Sequence, residues 1–179
     1  MYITNVELIP HPKASCGAVR RLSVSCRRLP EPGVLLLSYQ LEGDLGRLRI
    51  PPPVAPGRVD ELWRHTCLEA FVQRAGEPGY AEFNFSPATQ WAAYAFEDYR
   101  AGMQRLTGAA EPRLAVQCAA DVLVLTARVA LPAQYAVAPL RVGLTAVIED
   151  GHGQSSWWAL RHAGDKPDFH LAAGFTLEC

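Results

Sequence analysis

The chain has 179 residues, of which 49% are hydrophobic, enough apolar surface for one substantial core at about the ordinary size of a single domain. Lys plus Arg number 17 against 18 Asp plus Glu, so there is no excess of positive charge to hold a phosphate backbone, which argues against nucleic acid as a partner. No run approaches the roughly 18 uninterrupted apolar residues of a membrane-spanning helix, so no membrane partner is expected either.

The first eight residues, Met1 to Leu8, read as the start of a strand and carry neither the basic stretch nor the apolar run of a secretory signal. Cys16, Cys26, Cys67, Cys118 and Cys179 are odd in number and lack CxxC spacing. That fits reduced thiols better than a disulfide framework or a structural zinc site. Together these features predict a cytoplasmic protein.

Alternation with a period of two dominates the rest of the chain. Leu22, Val24 and Cys26 alternate with Ser23, Ser25 and Arg27, as in a strand with one buried and one wet face. Val34 to Leu41 continues the pattern. Pro51 to Gly57 holds too many prolines for a helix or a central strand and reads as a loop. Thr66 to Gln73, Tyr80 to Ser86 and Trp91 to Asp98 then predict a three-stranded meander separated by turn-rich spacers. Tyr99 to Leu106 is the one helical candidate, of a single turn. Leu114 to Ala119 with Val122 to Leu131, and Arg141 to Glu149 with Ser155 to Leu160, predict two further hairpins, and Phe175 to Glu178 a last strand. About ten short strands with frequent turns are the pattern of an all-β, two-sheet antiparallel sandwich with at most one short helix, in one domain over residues 1–179.

The most informative segment is Tyr80-Ala-Glu-Phe-Asn-Phe-Ser86. Alternation sends Ala81, Phe83 and Phe85 to one face and Tyr80, Glu82, Asn84 and Ser86 to the other, the first being core and the second a hydrogen-bonding row expected to be solvated within a groove. On the preceding strand Cys67, Glu69 and Phe71 share a face opposite Leu68, Ala70 and Val72. A Glu in so apolar a strand must find partners. Trp63, Trp91, Trp157 and Trp158 add indole faces. Indoles beside carboxylates and amides suit a sugar ring, which has an apolar CH face and a rim of hydroxyls. The plainer alternative is that the tryptophans plug the sandwich and the polar groups satisfy one another.

His162 to His170 gathers five ionisable groups in a turn-rich loop, read either as a segment pinned by Lys166 and Asp168 or as a place for function. His162, Asp168 and His170 have metal-ligating side chains but no spacing specific to a metal, so no metal is assigned. His65 and Glu69 lack the second histidine of HExxH and lie in a β pattern. Glu69 and Glu82 are the one carboxylate pair that a glycoside hydrolase could use. No phosphate-binding glycine loop and no GxSxG elbow is present.

Leu62-Trp-Arg-His-Thr-Cys-Leu-Glu-Ala-Phe71, Tyr80-Ala-Glu-Phe-Asn-Phe-Ser-Pro87 and Trp91-Ala-Ala-Tyr94 resemble DOMON-like proteins related to family-nine carbohydrate-binding modules. The order is similar through a late Trp-containing strand, Ser156 to Leu160, and the following Lys166-Pro-Asp-Phe-His170. The resemblance implies a sandwich of jelly-roll character that binds sugars or, in other branches, haem, without doing chemistry itself. Carried onto matching positions, it makes Trp63, Glu69, Glu82, Asn84, Trp91, Trp158, Lys166, Asp168 and His170 the site candidates. Relatives of this kind are secreted appendages of enzymes, whereas this sequence shows no export signal. The haem cytochromes of the group use Met and His axial ligands; here Met103 is the sole internal methionine and no histidine matches that role, so no cofactor is assigned. The expectation is a non-catalytic module for a carbohydrate or similar polyhydroxylated ligand, with indoles stacking and Glu82, Asn84 and Lys166 meeting hydroxyls or an acid group. The alternatives are a haem-binding domain, a hydrolase using Glu69 and Glu82, or a protein-interaction module.

Overall fold

The computed structural model describes residues 3–178. Its strands in chain order are β1 (Ile3–Glu7), β2 (Ile9–Pro10), β3 (Val19–Arg28), β4 (Val34–Gly43), β5 (Gly57–Arg58), β6 (Cys67–Arg74), β7 (Tyr80–Phe85), β8 (Gln90–Phe96), β9 (Gln104–Arg105), β10 (Arg113–Cys118), β11 (Val122–Ala130), β12 (Leu140–Glu149), β13 (Ser155–Ala159) and β14 (Leu177–Glu178). They form a five-stranded sheet in the order β1-β3-β4-β11-β10 and a nine-stranded sheet with the path β2-β13-β12-β6-β7-β8-β5, to which β14 adds beside β12 and β9 beside β8. Every pairing is antiparallel except β5 with β8. The expected all-β sandwich is what the chain forms, and the meander and both hairpins are β6-β7-β8, β10-β11 and β12-β13.

The core lies between the sheets. Val24, Leu37, Tyr39, Leu41 and Leu125 face it from the smaller sheet, and Leu68, Val72, Phe83, Phe85, Leu144 and Ile148 from the larger. The period of two places them there, since alternate residues of each strand share a face. Tyr39 spans the gap and donates its hydroxyl to the Glu69 carbonyl at 2.7 Å, which satisfies a phenol buried among apolar side chains.

The two sheets differ on their outer faces. Along β10, exposed and partly buried residues alternate, the mark of an outer strand with one wet face, whereas every residue of β7 is buried. A second apolar layer covers the outer face of the larger sheet: Phe71, Tyr80, Tyr94 and Phe96 rise from the strands and Leu62 and Phe175 close over them, with Trp63 and Phe169 packed alongside. Leu62 and Trp63 come from a 3₁₀ turn, Leu62–Arg64, and Phe169 and Phe175 from the segment 161–176 after β13.

The helical reading of Tyr99 to Leu106 is corrected. There the chain turns back at Gly102, which has a φ of +66°, and pairs β9 with β8 through Tyr94↔Arg105 and Ala95↔Gln104. Residues 97–103 thereby lie against the outer face of the larger sheet. No disulfide links the described cysteines; Cys179 lies outside the described residues.

Candidate functional site

A cavity of about 310 Å³ lies between the outer face of the larger sheet and its covering segments. Glu69, Phe71, Glu82, Phe96, Val147 and Trp157 form its sheet side, while Trp63, Arg100, Met103, Pro167, Phe169 and His170 come from the covering segments. Strand register explains the grouping. Glu69 pairs with Asn84 and Phe71 with Glu82 across β6 and β7, so the two carboxyls are diagonal neighbours on one face, where long side chains meet.

Both glutamates are nearly sealed, with Glu69 at 2% and Glu82 at 4% exposure. Glu69 Oε2 accepts a hydrogen bond from the Thr145 hydroxyl at 3.1 Å, and Oε1 is buried with no partner among the described residues. Glu82 Oε1 accepts from the Asn84 amide at 2.7 Å, and Oε2 stands 3.9 Å from His170 Nε2, beyond hydrogen-bond range. Burial, then the charge of Glu82, pushes the Glu69 carboxyl well above the ordinary carboxylate range. Burial raises Glu82 to about 7 against the pull of its Asn84 bond and of Arg100. Both shifts favour the protonated carboxyl, a form able both to donate and to accept.

His170 is fixed from two sides. Its Nδ1 lies 2.8 Å from the Tyr80 hydroxyl, and that hydroxyl also accepts the Arg100 amide hydrogen at 3.2 Å. The phenol therefore donates to Nδ1, and a neutral ring carries its proton on Nε2, facing Glu82. Burial and then the nearby Arg100 charge lower His170 to about 4. The segment around it is held by Asp168, whose carboxylate accepts from Arg100 at 2.9 Å, from the Tyr99 hydroxyl at 2.5 Å and from the His170 amide at 3.1 Å. Tyr99 and Arg100 keep that carboxyl below its ordinary value, outweighing its burial.

Four of the nine sequence candidates, Trp63, Glu69, Glu82 and His170, line the cavity. Asn84 is wholly buried and orients Glu82, with its oxygen taken by the Cys67 thiol at 3.6 Å. Asp168 anchors the covering segment. Lys166 is exposed and lines no part of the cavity, so Asp168 pins the loop through Tyr99 and Arg100 rather than through Lys166. Trp91 packs against the main core beneath the Arg58 guanidinium, 5.8 Å from its ring centroid. Trp158 pairs with Ala146 and turns inward, while its neighbour Trp157 pairs with Val147 and turns outward into the cavity. The row expected to be solvated is instead buried, with Tyr80, Asn84 and Ser86 at 2%, 0% and 5% exposure; only Glu82 of that row reaches the cavity.

His162 stands away from this site, edge-on to His11 at 4.8 Å between ring centroids and bonded to the Ile9 carbonyl. It does not converge with Asp168 and His170, and among the described residues no group of three or more His, Cys, Asp and Glu could hold a metal ion. Met103 and His170 do line one cavity, but His170 Nδ1 is engaged by Tyr80 and Nε2 is turned to Glu82, so the arrangement does not fit haem ligation.

The fold has a solved counterpart. The crystal structure of a putative carbohydrate-binding protein from Bacteroides uniformis superposes with a TM-score of 0.71 over 98% of this chain and 84% of that one, at 14% identity. At that identity the likeness is one of fold. The chain matches no family model and no curated protein.

Proposed function

We propose that this chain is a non-catalytic binding module whose cavity takes a carbohydrate or other polyhydroxylated small molecule. The observation that carries the reading is that Glu69 lines a cavity walled by Trp63, Trp157, Phe96 and Phe169 while its Oε1 is buried with no partner among the described residues. A buried polar atom left unsatisfied costs about 1–3 kcal/mol, and a ligand hydroxyl removes that cost. The rings offer flat apolar faces for the CH side of a sugar. The likeness in fold to the Bacteroides protein and the resemblance of the strand motifs to DOMON-like domains support the same choice of ligand.

The same geometry favours binding over hydrolysis. A glycoside hydrolase places an acid and a base or nucleophile to either side of the scissile bond. Here both carboxyls rise from adjacent strands of one sheet face, which suits holding two hydroxyls from below.

Titration with a panel of mono- and disaccharides, followed by calorimetry and tryptophan fluorescence, tests the proposal. At least one sugar is expected to bind and to perturb the emission of Trp63 and Trp157, with the response lost in Glu69→Ala. Silence across the panel from a folded protein overturns it.

A further inference from the structure

Charge balance around the cavity narrows the ligand class. The ionisable groups around the two glutamates are His170 from the C-terminal segment, with Asp168 behind it, Arg100 from the 97–103 segment, Cys67 and Tyr80 from β6 and β7, and Tyr39 from β4. Arg100, itself on the cavity wall, is bound to Asp168 at 2.9 Å, so its charge is largely met there, although it still draws Glu82 toward ionisation. His170 accepts from Tyr80 and is neutral. Lys166 is exposed and outside the cavity. Among the described residues no Arg or Lys therefore bonds Glu69 or Glu82 directly, although both are nearly sealed from water, and a buried carboxylate that stays ionised needs a paired charge.

Two carboxyl oxygens of residues that line the cavity are without a hydrogen bond among the described residues: Glu69 Oε1, which is buried, and Glu82 Oε2, which is 3.9 Å from Nε2 of His170. An ammonium group brings three N–H donors and a positive charge. The walls suit a cation as well, since Trp63, Trp157, Phe71 and Phe96 present aromatic rings to the same space and a cation gains from an aromatic face within about 6 Å. A bare metal ion is the poorer fit, because among the described residues no cluster of three ligating side chains exists.

We propose that the ligand is a polyhydroxylated amine, an amino sugar in its protonated form, whose ammonium group bridges Glu69 and Glu82 between the aromatic walls. This rests on the carbohydrate reading and narrows it. Burial holds Glu82 near 7 in the free protein and Glu69 well above its ordinary value. Binding of an ammonium therefore expels a proton from the carboxyl pair to the buffer, and a neutral sugar does not.

The test is calorimetry at pH 6, where the sugar amines already carry their proton and Glu82 still holds its own, with glucosamine, galactosamine and mannosamine, each beside its neutral hexose and its N-acetyl derivative, in two buffers that differ in ionisation enthalpy. At least one amine is expected to bind ten-fold or more tightly than both of its partners, with net proton release. That preference should vanish in the Glu69→Gln, Glu82→Gln double variant, whose folding is checked by its melting transition; Glu82→Gln alone serves if the double variant does not fold. Neutral hexoses that bind as well as the amines, or an amine preference that survives in the folded variant, overturn the amine inference and leave the carbohydrate reading standing. Failure of every sugar, charged or neutral, overturns both.

Discussion

The Tyr80 hydroxyl stands 2.8 Å from Nδ1 of His170, joining the middle of the larger sheet to the segment that roofs the cavity. Because that hydroxyl also accepts the Arg100 amide hydrogen at 3.2 Å, a single buried oxygen ties two of the covering segments, 97–103 and 161–176, to β7. Tyr80→Phe is expected to lower stability by about 1–2 kcal/mol, the cost of leaving a buried ring nitrogen and a backbone donor without a partner. Denaturant midpoints measure the loss. Amide exchange across residues 97–103 and 161–176 should rise while the core strands keep their protection; uniform protection in both segments would show that the tether holds nothing in place.

Adjacent tryptophans on β13 should behave as opposites. Trp158 lies in the main core at 5% exposure, its indole N–H donating to Ser156 at 3.0 Å, so Trp158→Ala should cost about 3–5 kcal/mol through cavity formation. Trp157 faces the ligand cavity, and Trp157→Ala should cost less stability while weakening ligand binding at least ten-fold. Thermal melts and sugar titrations on the two variants separate the roles. A ligand affinity untouched by Trp157→Ala would remove that indole from the site.

These two residues also show how far sequence carries. Alternation within β7 correctly divides Phe83 and Phe85 from Glu82 and Asn84, because that parity is local. Which of Trp157 and Trp158 turns outward depends on the pairing Ala146↔Trp158 and Val147↔Trp157, a matter of register between strands, and both residues of such a pair are apolar enough to suit either face. The cues were in β12, where Leu140, Val142, Leu144, Ala146 and Ile148 mark the inner face. Of the roof residues that line the cavity, only Trp63 and His170 were legible as candidates. Arg100, Met103, Pro167 and Phe169 sit in turns with no periodicity, and what brings them over the sheet is a set of long-range contacts such as Arg100 with Asp168. That cover is also why the polar row of β7 is buried rather than solvated.

At Gly143 the roof lies directly on the sheet. A Cβ added there would lie 2.5 Å from Cδ1 of Phe175, a ring that is 1% exposed and stacked on Phe71 at 5.6 Å between centroids. Gly143→Ala must therefore displace a buried aromatic ring, at about 1–3 kcal/mol for overpacking. The melting temperature should fall, and the paired change Gly143→Ala with Phe175→Leu should recover part of it. A Gly143→Ala protein that melts with the parent would mean that the ring is not seated there.

Glu82 and His170 impose opposite pH dependences on stability. Glu82 is raised from 4.5 to about 7 in the folded chain, so between those values the folded state holds a proton that the unfolded state has released, and stability falls as pH rises across that window. His170 is lowered from 6.5 to about 4, so between about 4 and 6.5 the unfolded state holds the extra proton, and stability rises with pH. Each effect is on the order of 3 kcal/mol, and over the shared range they nearly offset, leaving the parent protein with a flat profile from these two groups. Single substitutions unmask them. Glu82→Gln should be more stable than the parent at pH 7.5 and lose that advantage below about pH 4.5, where the parent's Glu82 is protonated in both states. His170→Asn, whose side-chain oxygen can still accept from Tyr80, should gain relative to the parent as pH falls from 6.5 to 4. Urea titrations of the three proteins at half-unit pH intervals measure the curves. A Glu82→Gln curve parallel to the parent's over the whole range would mean that Glu82 is ionised and solvated in the folded protein, and the buried carboxyl pair on which the binding proposal stands would go with it.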